Sequence, residues 1–142
     1  MNMEIEGRVI VGERMEVVEG TVVVGEDGDD DGRIVEVREE SVESDDVIVP
    51  ALVNAHTHIG DSVAKEAGRG LSLDEVVAPP DGLKHRILRS TDREEKRAGM
   101  RRTAERMHSE GVGAFGDFRE GGIEGVRDLR AATEDTPVDA LA

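Results

Sequence analysis

The feature that most constrains this 142-residue chain is the run Val47-Ile48-Val49-Pro50-Ala51-Leu52-Val53-Asn54-Ala55. An apolar run of this length suits a strand buried on both faces, as in a parallel sheet. Pro50 has no N–H to give to a ladder, so it marks where one element ends and the next begins. His56-Thr57-His58 follows at once. Residues two apart in a strand point to the same face, so both imidazoles can meet one ion from the end of one strand. Neutral imidazole is a good ligand for zinc and other late divalent metals.

The segments on either side fit a sheet-and-helix order. Val- and Ile-rich stretches at 5–11, 17–24 and 34–37, separated by turn residues, read as a small β-meander. Residues 39–46 form an acidic connector. Residues 60–89 carry no long periodicity, and Pro79-Pro80-Asp81-Gly82 is a turn signal. Ser72 with Glu75 fits a capping box on one short helical turn. A connection of about thirty residues is far longer than usual and is typical of lids and binding loops. Thr91-Asp92-Arg93-Glu94 also fits a capping box, with Thr91 as the cap. Met100, Thr103, Ala104 and Met107 then share one helical face, and Gly111 is a stop signal. A strand at 112–118, a helix at 123–132 and the start of another strand at 137–142 complete the order. Such alternation implies βα units on a parallel sheet, an α/β fold.

Composition narrows the function. Leu, Ile, Val and Phe make up about a quarter of the chain, enough for a core, with Phe115 and Phe118 as its only aromatic side chains besides histidine. There is no cysteine, hence no disulfide framework, thiol nucleophile or Cys-ligated metal. No apolar run approaches a membrane span, and no signal-like segment opens the chain, so the expectation is a cytoplasmic protein without a membrane partner. A formal charge of −15 repels phosphate backbones and argues against nucleic acid. Only Lys65, Lys84 and Lys96 among the 18 basic residues are lysine, and an acidic, lysine-poor surface suits a salt-rich cytoplasm, or else an ordinary acidic protein in ordinary salt.

The string from Val47 to Asp61, placed after a small meander and before a long loop and a helix, resembles the amidohydrolase superfamily. The likeness is to its cytosine deaminase and chlorohydrolase-like branch. It is good over residues 3–61 and consistent in element order beyond. One departure is Ala51, where the family usually has Gly. The resemblance implies strands of a small β-sandwich over 1–49 and the first βα units of a (β/α)₈ TIM barrel over 50–142. It also implies a divalent metal, zinc first among candidates, held by His56 and His58. The activity implied is hydrolysis of a non-peptide carbon–nitrogen bond in a small molecule, by water activated on the metal. The family's further ligands come from later barrel strands. A barrel takes about 250 residues, so the expectation is an incomplete barrel with a two-histidine half-site. That is the N-terminal part of a longer enzyme, or a short protein that borrows strands from a partner. The chain alone is then catalytically incomplete, poorly stable or self-associating, because open strand edges and apolar faces invite pairing.

Weaker signals complete the reading. Asp61 follows the histidine pair and suits either orienting an imidazole or capping the loop. Asp117 and Arg119, near the end of the second barrel strand, suit either facing the substrate or a surface ion pair. His85, in the long loop, suits either a substrate contact or an exposed loop residue, and His108 reads as a surface residue favoured by a helix C-terminus. Asp27–Gly32 matches the opening of an EF-hand loop, but its twelfth position is Arg38, so it reads as a hairpin turn. Gly111-Val112-Gly113-Ala114-Phe115-Gly116 spells a dinucleotide fingerprint, but it follows a helix and enters a strand, the reverse of what that site needs.

Overall fold

The computed structural model describes residues 2–142, which divide between Pro50 and Ala51 into two compact units. The first is a four-stranded sheet in the order β3-β2-β1-β4. Strands β1 (Asn2–Val11) and β2 (Glu16–Gly25) pair antiparallel along their whole length, from Asn2 opposite Gly25 to Val11 opposite Glu16. β3 (Ile34–Glu39) adds antiparallel to β2 with a bulge at Val23 and Val24, and β4 (Val47–Ile48) runs parallel to β1. Val9, Val22 and Val23 are buried. Thr21 is buried too, and its hydroxyl donates to Glu40 Oε1 at 2.7 Å. The Asp-rich segment is the connection between β2 and β3, with a single 3₁₀ turn at Gly28–Asp30.

The second unit is a parallel sheet of β5 (Leu52–Thr57), β6 (Val112–Asp117) and β7 (Asp139–Leu141), in that order. The apolar run of 47–55 is thus divided at Pro50 between two sheets. The expectation that it is buried on both faces is corrected: Leu52 is 58% and Val53 70% exposed. The reason is that β5 is an edge strand, paired within its sheet only with β6.

Between β5 and β6 the chain forms a 3₁₀ segment, Ile59–Ala64, and the helices α1 (Leu73–Val77), α2 (Leu83–Ser90) and α3 (Arg93–Ser109). The capping box of Ser72 and Glu75 forms as expected and starts α1. Helix α2 lies inside the stretch that lacks long periodicity, because its half-buried apolar side chains are only Leu83, Ile87 and Leu88. The cap of α3 is Asp92, not Thr91: its carboxylate accepts from the N–H groups of Glu94 and Glu95 at 2.7 and 3.2 Å. Thr91 instead closes α2, its hydroxyl donating to the Ile87 carbonyl at 2.8 Å. Gly111 then ends α3 with φ near +85°, a conformation that costs a residue with a Cβ. The glycine-rich string therefore closes a helix and becomes β6, as its order in the sequence indicates.

The core of this unit gathers Met100 and Ala104 of α3, Phe115 of β6, Leu129 and Ala132 of α4 (Gly122–Thr133), with Ile59 and Val138. The expected α3 face is the one buried. Outside the core, α3 and α4 are joined by charge: Arg93 and Arg97 both donate to Asp128 Oδ1, at 2.6 and 2.8 Å, and Arg93 also reaches Glu124. Burial pushes the Asp128 carboxyl up, but the bonds from Arg93 and Arg97 outweigh it and hold it below the usual range. The Glu124 carboxyl is held down by Arg127 and Arg93.

Two outcomes follow. Phe115→Ala empties the centre of the core and lowers unfolding stability by about 3–5 kcal/mol, read by urea denaturation; a loss below about 1 kcal/mol contradicts this packing. Asp128 and Glu124 have depressed folded pKa values, so their contribution is present above the ordinary carboxylate pKa of about 4 and is lost as pH falls below it. Thermal melts from pH 5 to 3 therefore fall, and Asp128→Asn flattens that dependence; an unchanged slope counts against the ion pairs.

Candidate metal centre

The two histidines of the motif end up where strand β5 gives way to the 3₁₀ turn. Thr57 stands opposite Asp117 and Asn54 opposite Phe115, so β5 carries one more residue than β6 across this step. Such a bulge re-aims a side chain locally. Its effect here is convergence: Nε2 of His56 and Nε2 of His58 lie 3.3 Å apart, both on exposed residues.

Both rings meet Phe118, the residue that follows β6. His58 Nδ1 lies 3.1 Å from the Phe118 carbonyl oxygen. A carbonyl only accepts, so Nδ1 carries the proton and Nε2 keeps its lone pair. That is the tautomer a ligand histidine requires, set as in known metal sites by the bond its other nitrogen makes. His56 is held by the Phe118 ring, whose centroid is 4.4 Å from its own, and its backbone N–H donates to Asn54 Oδ1 at 3.3 Å.

The donor set fits half of a tetrahedral site. Two metal–nitrogen bonds of about 2.0–2.1 Å at a tetrahedral angle place the nitrogens about 3.3–3.4 Å apart. A catalytic zinc needs three protein ligands. Among the described residues no group of three or more His, Asp or Glu side chains is close enough to hold an ion. The Asp27–Asp31 turn is included in that statement.

Asp61, Asp117 and Arg119 are brought together, with two residues that sequence reasoning missed, in one chain of charge. The Asp117 side chain is fully buried and that of Arg119 is 7% exposed. Arg119 donates to Asp117 Oδ2 at 2.8 Å and to Glu120 Oε2 at 3.0 Å. Lys84 of α2 donates to Glu120 Oε1 at 2.6 Å and to Asp61 Oδ2 at 2.9 Å. Burial pushes the Lys84 ammonium down, but its two carboxylate partners hold it above its usual pKa. Glu120 is pushed up by burial and held below its usual range by Lys84. Asp61 Oδ1 is buried without a partner. His85 is half-buried, its Nε2 3.0 Å from the Val77 carbonyl oxygen, and His108 is exposed on α3. Phe118, Thr57, Lys84 and Glu120 escaped the sequence reading because their roles depend on the β5–β6 register and on α2.

Comparison with known proteins agrees with this architecture. The sequence profile of the Amidohydrolase family matches residues 47–140. A protein of Methanothermobacter thermautotrophicus named "Putative aminohydrolase" is 44% identical over 119 residues, covering 79% of this chain and 31% of its own length. An uncharacterized protein of Methanocaldococcus jannaschii is 36% identical over 129 residues, covering 90% of this chain and 34% of its own. The chain thus spans about a third of the length of the curated relatives it matches. The crystal structure of atrazine chlorohydrolase TrzN from Arthrobacter aurescens TC1, complexed with zinc, superposes with a TM-score of 0.61 at 20% identity. That match covers 96% of this chain and 34% of the neighbour, and it speaks for the fold. With a profile match over most of its second unit and β4 of its first, the chain belongs to the amidohydrolase family.

Proposed function

We propose that this chain supplies the first two metal ligands, His56 and His58, of a metal-dependent hydrolase acting on carbon–nitrogen bonds other than peptide bonds. The observation that carries this reading is the 3.3 Å convergence of two Nε2 atoms, with the lone pair of His58 Nε2 set by the bond from its Nδ1 to the Phe118 carbonyl. Family membership supports the hydrolase class, and the aminohydrolase name of the archaeal relative supports C–N bonds. The zinc in the chlorohydrolase neighbour supports zinc as the metal.

When bound, the divalent metal supplies a Lewis acid that activates water near neutral pH. The residues of this chain do the rest of the work assigned to them. His56 and His58 present neutral nitrogen donors from one strand end. Phe118 keeps both rings from turning away. The remaining donors and the groups that recognise a small-molecule substrate belong to the other two-thirds of the length seen in the relatives. The 142 residues alone form a half-site, and in this reading they do not turn over substrate. The exposed β5 edge and the exposed Leu52, Val53 and Leu141 make self-association of the isolated chain part of the same reading. A cytoplasmic setting goes with it; among the described residues no helix is long and apolar enough to cross a membrane.

Zinc titration of the full-length protein tests the reading. The wild type is expected to bind close to one zinc per chain, and the His56→Ala/His58→Ala variant to lose at least about 100-fold in affinity, since two of about three protein ligands are gone. Ammonia or amine release from a panel of cyclic amidines and amides should be lost in the same variant. Equal zinc binding by both proteins would remove the reading. For the 142-residue chain alone, the expected affinity is far weaker and the turnover nil; hydrolysis by that chain would show that the site completes itself.

A further inference from the structure

The buried Asp117 carboxylate calls for an explanation, because removing a charge from water is costly and an apolar contact would hold two strands as well. Its partners are specific. Oδ1 accepts from the Thr57 hydroxyl at 2.9 Å and from the Ile59 N–H at 2.7 Å. These residues lie on either side of His58. Oδ2 takes the Arg119 bond, and the Arg119 guanidinium lies against Gly60, where a Cβ would come within 1.8 Å of Nη2. From Arg119 the charge chain runs through Glu120 and Lys84 to Asp61. It leaves the segment 57–61 at Thr57 and Ile59 and returns to it at Asp61. Within this segment the one side chain left on the exposed side is His58.

We propose that Asp117 is a positioning residue for His58, with Arg119 as its counter-charge, and that neither of them meets substrate. The proposal rests on the metal reading above. Asp117 fixes the backbone on both sides of His58, and that backbone sets the ring where the Phe118 carbonyl takes its Nδ1 proton. The bond from Phe118 N–H to the Thr57 carbonyl at 2.9 Å completes the latch. A carboxylate is suited to this work because one oxygen accepts two donors while the other takes the guanidinium. An amide at this position would turn an N–H₂ toward Arg119.

The experiment compares Asp117→Asn with Asp128→Asn in the full-length protein. Asp128 is a control: it is a half-buried ion-pair carboxylate of α4 whose two arginine partners, Arg93 and Arg97, lie on α3. Three quantities are read: thermal stability, zinc affinity, and the ¹⁵N shifts of the His58 ring without metal. Asp117→Asn is expected to weaken zinc binding about 10–100-fold, the usual effect of losing a group that orients a ligand. It is also expected to replace the single Nδ1–H tautomer of His58 with a mixture. Asp128→Asn is expected to lower the melting temperature while zinc affinity stays within about twofold and the tautomer stays fixed. The proposal is overturned if Asp117→Asn changes only stability, or if both variants lose zinc in proportion to their loss of stability. Should Asp117→Asn fail to fold, Thr57→Val removes one of the two bonds to Oδ1, and an unaltered tautomer there also overturns it. A wild type that binds no zinc would refute the metal reading, and the tautomer comparison would still decide the role of Asp117.

Discussion

The parallel pairing of β5 on β6 is the interaction on which the rest depends. It places Thr57 opposite Asp117 and brings Phe118 beside both histidines. The extra residue in β5 turns His56 so that its Nε2 meets that of His58. Without this register there would be two exposed histidines two residues apart, free to take either tautomer. With it there is a pair of convergent donors, one carrying a lone pair fixed by a backbone carbonyl. The core beneath serves the same end, since Phe115 of β6 anchors the strand against α3 and α4 two residues before Asp117.

The charge chain between Asp117 and Asp61 shows how the unit tolerates a high acidic load. Each carboxylate in it meets a cation, and Lys84, one of only three lysines in the chain, serves two of them. The α3–α4 seam repeats the device with Arg93, Arg97 and Asp128. Exposed pairs of this kind contribute little singly. These are partly buried and networked, so they act by fixing geometry more than by adding stability. The remaining surface carries a large negative excess, and its self-repulsion falls as salt rises. That agrees with a composition poor in lysine.

Much of this was legible in the sequence where the signal is local. The cap at Ser72, the buried face of Met100 and Ala104, the stop at Gly111 and the break at Pro50 each depend on residues within a few positions. Thr91 and Asp92 are both good cap residues, and only the structure shows that Thr91 belongs to the end of α2 and Asp92 to the start of α3. The His-x-His pair, on which the proposed metal site rests, was visible in the sequence. Its supports were not, because Asp117 lies 58 to 60 residues from the atoms it holds, and no periodicity encodes that register. The apolar string 47–55 reads as doubly buried because its composition is that of a strand with cover on both sides. In this chain it is an edge, and about two-thirds of the length found in the relatives lies outside the match.

The central claim is that His56 and His58 chelate one divalent ion through their Nε2 atoms. Anomalous diffraction at the zinc edge, from zinc-loaded crystals of the full-length protein, tests it directly. The account predicts one strong peak about 2.0–2.1 Å from both Nε2 atoms. An ordered zinc elsewhere, such as the Asp27–Asp31 turn, with none at the histidine pair, would contradict it.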